Sequence, residues 1–152
     1  MIALLAAAAL TPTPIGPGAR YRPAAGRPIV ACTGRPVARI HLELFANARA
    51  IVIPAGIGAC TDPLRTRTPT GVVELTRSHL TVGDLFRVWK QPLGPHRLLS
   101  FRSRSAVRAY VGGRPVRGPV GSVALTRGAE IVIELGGYVP PHVSFLFPRR
   151  LQ

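Results

Sequence analysis

Apolar residues in this chain follow two rhythms. Over residues 80–89, LTVGDLFRVW, the positions Val82, Leu85, Phe86 and Trp89 recur at i, i+3, i+4 and i+7, a single stripe on one helical face. Thr81 and Asp84 form a T-x-x-D capping box. Leu80 and Leu85 stand where a hydrophobic staple closes over the helix entry, and Pro92 and Gly94 stop the helix soon after. Nothing else in the chain carries so well punctuated a helical pattern.

Elsewhere the period is two. Residues 37–58 read as a hairpin around Asn47, Ala48 and Arg49, with Ile40, Leu42 and Leu44 on one face of the first strand and Arg39, His41 and Glu43 on the other. Pro54 and Gly56 end the second strand. Residues 59–70 read as a loop, 71–77 as a third strand and 98–101 as a weaker one. Residues 107–111 with the Gly112-Gly113 turn predict another hairpin, and the Arg127-Gly128 turn feeds a strong strand over 130–135. On that strand Glu130 and Glu134 are expected at an exposed edge. Residues 143–147 offer a last strand. The sum is an α+β domain, a small mixed or antiparallel sheet packed on one helix. The helical stripe is expected to be buried against Leu42, Leu44, Ile131 and Ile133.

The chain divides into three parts. Residues 1–10, MIALLAAAAL, are apolar but too short to span a bilayer, which needs roughly 20 apolar residues. They resemble the apolar region of a secretory signal peptide with small residues for cleavage, although nothing basic precedes Arg20. Residues 11–36 are a Pro/Gly-rich linker, and 37–148 form one globular domain. An exported, extracytoplasmic location follows if this segment is a signal, and a cytoplasmic one if it is not. Two cysteines in an exported chain predict a Cys32–Cys60 disulfide.

Composition adds a strong charge bias. Twenty basic residues, all but Lys90 arginine, face six acidic ones, giving a formal charge of +14. Such a balance suits a polyanion partner, nucleic acid or an anionic envelope polymer. A genome rich in G and C would give the same arginine excess without function, and no compact basic run marks a nucleic-acid patch.

Residues 37–136 resemble a family of uncharacterised exported bacterial and archaeal proteins. Its pattern runs from an H-x-H-x-H-L strand through V-P-A-x-I-G, C-x-x-x-L-H-T-H-D and G-x-I-H-x-E to a T-L-G-x-F-F-x-x-W helix. Here His41-Leu42, the run from Ile53 to Gly58, Cys60, Leu64, Thr66, Gly71, Thr81, Val82, Gly83, Phe86 and Trp89 match. The order of segments also resembles the β-grasp (ubiquitin-like) arrangement, with Leu125, Gly128 and Ile131 matching its L-x-x-G-x-x-I turn. Where that family places histidines, a set suited to a transition metal, this chain has Val37, Arg39, Arg65, Arg67 and Glu74, and Thr68 replaces the acidic residue. His41 alone remains and reads as a surface histidine; His79, His96 and His142 are scattered. No metal or other cofactor is expected.

Arg39, Arg65 and Arg67 would then crowd one side of the domain beside His41, repelling one another unless solvent or an anion intervenes. These four are the candidate anion-binding residues. No catalytic constellation is apparent: Asp84 serves the helix cap, and Cys60 lacks an activating base. The leading expectation is a non-catalytic, exported binding or scaffolding module, monomeric and without a transmembrane helix. A basic polyanion-binding protein and a degenerate member of a metal-binding family are the alternatives.

Overall fold

A computed structural model describes Pro14, Ile15, residues 32–139 and Phe147. The expected signal-like segment, most of the expected linker and all but Phe147 of the expected strand at 143–147 lie outside these residues. In chain order the strands are β1 (Pro14–Ile15), β2 (Ala38–Ala46), β3 (Arg49–Ile51), β4 (Leu64–Arg65) and β5 (Val72–Leu75). After the helix α1 (Val82–Trp89) come β6 (Leu93–Gly94), β7 (Arg97–Leu98), β8 (Phe101–Arg102), β9 (Arg108–Val111), β10 (Arg114–Pro115) and β11 (Glu130–Leu135). Among the described residues the fold is mixed α+β, with one α-helix and a mostly antiparallel sheet.

The hairpins form where turn chemistry dictates. Asn47 and Ala48 both take positive φ, 51° and 61°, between β2 and β3, and Gly112 and Gly113 do the same between β9 and β10. The main sheet runs β1-β3-β2-β11-β9-β10. Its central strand is β2, nine residues long and shared among three partners. Along one edge β11 lies parallel to it, pairing Glu130 with His41 and Leu135 with Ala46. Along the other edge β3 takes residues 44–46 and β5 takes residues 38–41, both antiparallel. Strand β4 then pairs with the far side of β5.

Four features depart from expectation. Residues 59–70 contain β4, paired across from Leu75 and Glu74, and Pro14–Ile15 within the expected linker pairs with β3. In place of one weak strand at 98–101, β6, β7 and β8 make a separate three-stranded sheet. Finally, β11 lies between β2 and β9 rather than at an edge. Glu134, expected to be exposed, is accordingly buried with 2% exposure, and Glu130 is half-buried.

The helix is set by its ends. Thr81 accepts from the Asp84 N–H while the Asp84 carboxylate accepts from the Thr81 N–H at 2.9 Å, a reciprocal capping box. Lys90 ends the helix in the left-handed conformation, and the Gln91 N–H returns to the Phe86 carbonyl at 3.0 Å. Leu80, Val82, Leu85 and Phe86 are buried and join one core with Ile40, Leu42, Leu44, Ile131 and Ile133; Trp89 is half-buried, its ring 5.7 Å from that of Phe86. Burying each such side chain contributes about 1.5–3 kcal/mol. Among the described residues no helix is long and apolar enough to cross a membrane.

Candidate functional site

The outer face of β2, which the alternation marks as polar, carries an ion cluster. In register, Arg65 on β4, Glu74 on β5 and Arg39 on β2 are successive cross-strand neighbours in one row. The Arg39 Nε and Nη2 donate to Glu74 Oε1 at 3.3 and 3.2 Å. Arg65 Nε and Arg67 Nε donate to Oε2 at 3.1 and 2.8 Å. Arg65 and Glu74 are buried, whereas the side chains of Arg39 and Arg67 keep 20% and 36% of their exposure. Expected repulsion among the three guanidiniums is thus relieved by a carboxylate of the chain itself.

The second guanidinium nitrogens bind the segment that leads into β2. Arg65 Nη2 donates to the Gly34 carbonyl at 2.9 Å and Arg67 Nη2 to that of Cys32 at 3.4 Å. Arg127 Nη2, from the turn before β11, donates to the carbonyl of Val37 at 2.6 Å. The disulfide between Cys32 and Cys60 is formed, with Cα atoms 5.3 Å apart, and ties the same segment to the loop before β4. Arginine forks, a covalent tie and the sheet therefore hold residues 32–37 as a strap across the cluster.

Burial works to raise the Glu74 pKa, but the hydrogen bonds from Arg67, Arg65 and Arg39 outweigh it and hold the carboxyl below its ordinary value. One carboxylate against three guanidiniums still leaves local positive charge. Exposed Arg35, in the strap, and exposed Arg127 add to it. Beside Arg39 and Arg127 lies a cavity of about 340 Å³, completed by Pro36, Val37, Ala38, Gly128 and Phe147.

Of the four expected site residues, Arg39, Arg65 and Arg67 come together. His41 shares the Arg39 face of β2, yet its Nε2 lies 3.0 Å from the Thr70 carbonyl and its Nδ1 3.6 Å from Glu43 Oε1. With 7% exposure it is buried, not the surface histidine its strand position implied, because β5 and β11 both flank it. Guanidiniums are permanently protonated and offer no lone pair, so the donor set gathered here does not suit a metal. Among the described residues no three His, Cys, Asp or Glu side chains cluster as ligands.

Sequence reasoning noted Glu74 only as a replaced histidine and missed Arg127. Both lie in plain sight: Glu74 is the polar interruption of the apolar run VVEL, and Arg127 sits in the turn that feeds β11. Comparison with protein-family models, with curated proteins and with solved structures returned no match.

Proposed function

We propose that the protein is a non-catalytic, exported binding module of β-grasp-like build that receives an anionic partner at the arginine-rich end of its sheet. The observation that carries this reading is the excess of charge at one place: Arg39, Arg65 and Arg67 share one carboxylate, with Arg35 and Arg127 alongside. Arginine forks suit phosphate, sulfate and carboxylate, and a field of one sign concentrates such partners. The β-grasp reading draws support from the order β3-β2-β11-β9, in which the first and last strands of the domain pair in parallel at the centre; the inserted β4–β5 pair is a departure from it. Export draws support from the disulfide, which persists in oxidising compartments.

Descent from a metal-binding family is a second reading, favoured by one observation. Arg39, Arg65, Arg67 and Glu74, placed by the resemblance at histidine positions, are brought to one point by three different segments.

Heparin serves as the probe polyanion. Removing two exposed arginines outside the Glu74 hydrogen bonds, in Arg35→Ala/Arg127→Ala, is expected to lower the salt needed for elution and flatten its salt dependence. Arg102→Ala/Arg104→Ala, an equal charge change at exposed positions elsewhere, is expected to have a smaller effect. Equal effects from the two pairs would make the retention a matter of net charge and refute a localised site.

A further inference from the structure

We infer that the cavity between the start of β2 and the turn before β11 binds a small anion carrying an apolar body, a phosphate ester or carboxylate joined to a short aryl or alkyl group. This rests on the binding-module reading and gives it a ligand class. The cavity, about 340 Å³, falls within the range of small-molecule sites. Its lining has two chemistries. Arg39 and Arg127 bring positive charge, while Pro36, Val37 and Phe147 bring apolar surface.

Arg127 is the anchoring residue. Its turn is fixed to β2 by the Gly128 N–H, which donates to the Arg39 carbonyl at 2.8 Å. One guanidinium nitrogen, Nη2, is spent on the Val37 carbonyl at 2.6 Å. That bond orients the fork, and Nε and Nη1 have no partner among the described residues. Nη2 keeps a second N–H, and with the neighbouring N–H of Nε or of Nη1, on the edge that the Val37 carbonyl leaves open, it makes a two-pronged donor that matches the two oxygens of a carboxylate or phosphate. Arg39 contributes field while it remains bonded to Glu74. A purely inorganic anion would leave the other half of the cavity unused. Val37 is one of only two large apolar residues exposed among those described, at 44%, and it lies in this lining. An apolar body joined to the anion would cover it.

The test uses the full oxidised chain at low salt, titrated calorimetrically with phenyl phosphate, benzoate, inorganic phosphate and benzyl alcohol. Phenyl phosphate or benzoate is expected to saturate at least about tenfold more tightly than inorganic phosphate, and benzyl alcohol not to saturate in the same range. The ranking of the first two separates a phosphate ester from a carboxylate. Arg127→Ala is expected to weaken the tighter aryl anion about tenfold and Arg127→Lys by less, since the charge remains but the fork is lost. Val37→Ser should weaken the aryl anion and leave inorganic phosphate unchanged. Both sites are exposed, and unfolding curves for each variant confirm that it folds.

Equal affinities for aryl and inorganic anions, an equal loss in the distant Arg102→Ala, or no saturation by either aryl anion would overturn the inference. If heparin retention still depends on Arg35 and Arg127 while the aryl anions fail, this inference falls and the binding-module reading stands. If both fail, both fall.

Discussion

Replacing Glu74 by glutamine removes the charge that three arginines share and keeps the shape of the side chain. Breaking a buried ion pair by neutralising one partner costs about 3–5 kcal/mol, because the remaining charge stays desolvated. Only Arg65, at 4% side-chain exposure, is in that position; Arg39 at 20% and Arg67 at 36% can turn to water. The lower end therefore applies, about 3 kcal/mol. With a urea slope of about 2 kcal/mol/M for a domain of this size, the midpoint of the oxidised protein should fall by about 1.5 M at pH 7. Adding Arg65→Met, which removes the stranded buried charge and keeps its volume, should restore part of the loss.

The acid limb supplies a second signature. The folded-state pKa of Glu74 is lowered from its ordinary 4.5 by the hydrogen bonds from Arg67, Arg65 and Arg39, which outweigh the opposing effect of burial. A carboxyl of this kind contributes stability that is fully present above 4.5 and is lost as pH falls through the lowered folded value. Wild-type stability should decline in that window more steeply than that of Glu74→Gln. Asp84, also held low, chiefly by its hydrogen bond with the Thr81 backbone, contributes equally to both curves. A loss below about 1 kcal/mol at pH 7, or identical acid limbs, would show that the arginines are solvated independently and that the cluster is incidental.

Three further outcomes follow from the fold. Cys32→Ser/Cys60→Ser opens a loop of 28 residues and should cost about 3–4 kcal/mol by urea unfolding, with Arg67 less protected because its Cys32 carbonyl partner is released. Gly71→Ala should cost more than Gly112→Ala: both have positive φ, but a Cβ at 71 would fall on the Leu42 carbonyl oxygen while that at 112 meets open space. Left-handed strain alone accounts for about 1–3 kcal/mol, and equal unfolding midpoints for the two variants would contradict the close approach of β5 to β2. Phe86→Ala, at 2% exposure, should cost about 3–5 kcal/mol in the same assay, and a loss of less than about 1 kcal/mol would place the helix outside the core.

What was legible in the sequence was local. The capping box at Thr81 and Asp84, the stripe of Val82, Leu85, Phe86 and Trp89, and the glycine turn at 112–113 are each set within a few residues, and each forms as read except that Trp89 is only half-buried. The strand over 130–135 was legible too, its position in the sheet not. Strand β11 lies beside β2 because the chain between them closes over the helix, and nothing within EIVIEL records that neighbour. Its central place is what buries Glu134 and brings Arg108, 26 residues away, to 3.1 Å from it. Alternation of apolar and polar residues in β2 likewise reads as one dry face and one wet face. That inference fails when the polar face is itself covered, as the strap over Glu74 and the burial of His41 demonstrate.

The same covering explains where the scarce acidic residues go. Six carboxylates stand against twenty basic residues, so the sequence invites attention to the arginines, yet it is the carboxylates that select which arginines are ordered. Glu74 gathers Arg39, Arg65 and Arg67 from separations of 35, 9 and 7 residues, Glu134 holds Arg108, and Asp84 holds Arg87 one turn along the helix. A buried carboxylate is costly without partners, whereas an arginine on the surface is content in water. The position of each buried acid is thus strongly constrained and that of most arginines is not. Arg127 is an exception: it is ordered through a backbone carbonyl and, among the described residues, has no carboxylate partner beside the cavity at Val37. A guanidinium held in place yet not neutralised is the arrangement an anion-binding site requires; Arg97 is held likewise, by the Leu99 carbonyl at 3.1 Å, but of the two only Arg127 lines the cavity at Val37.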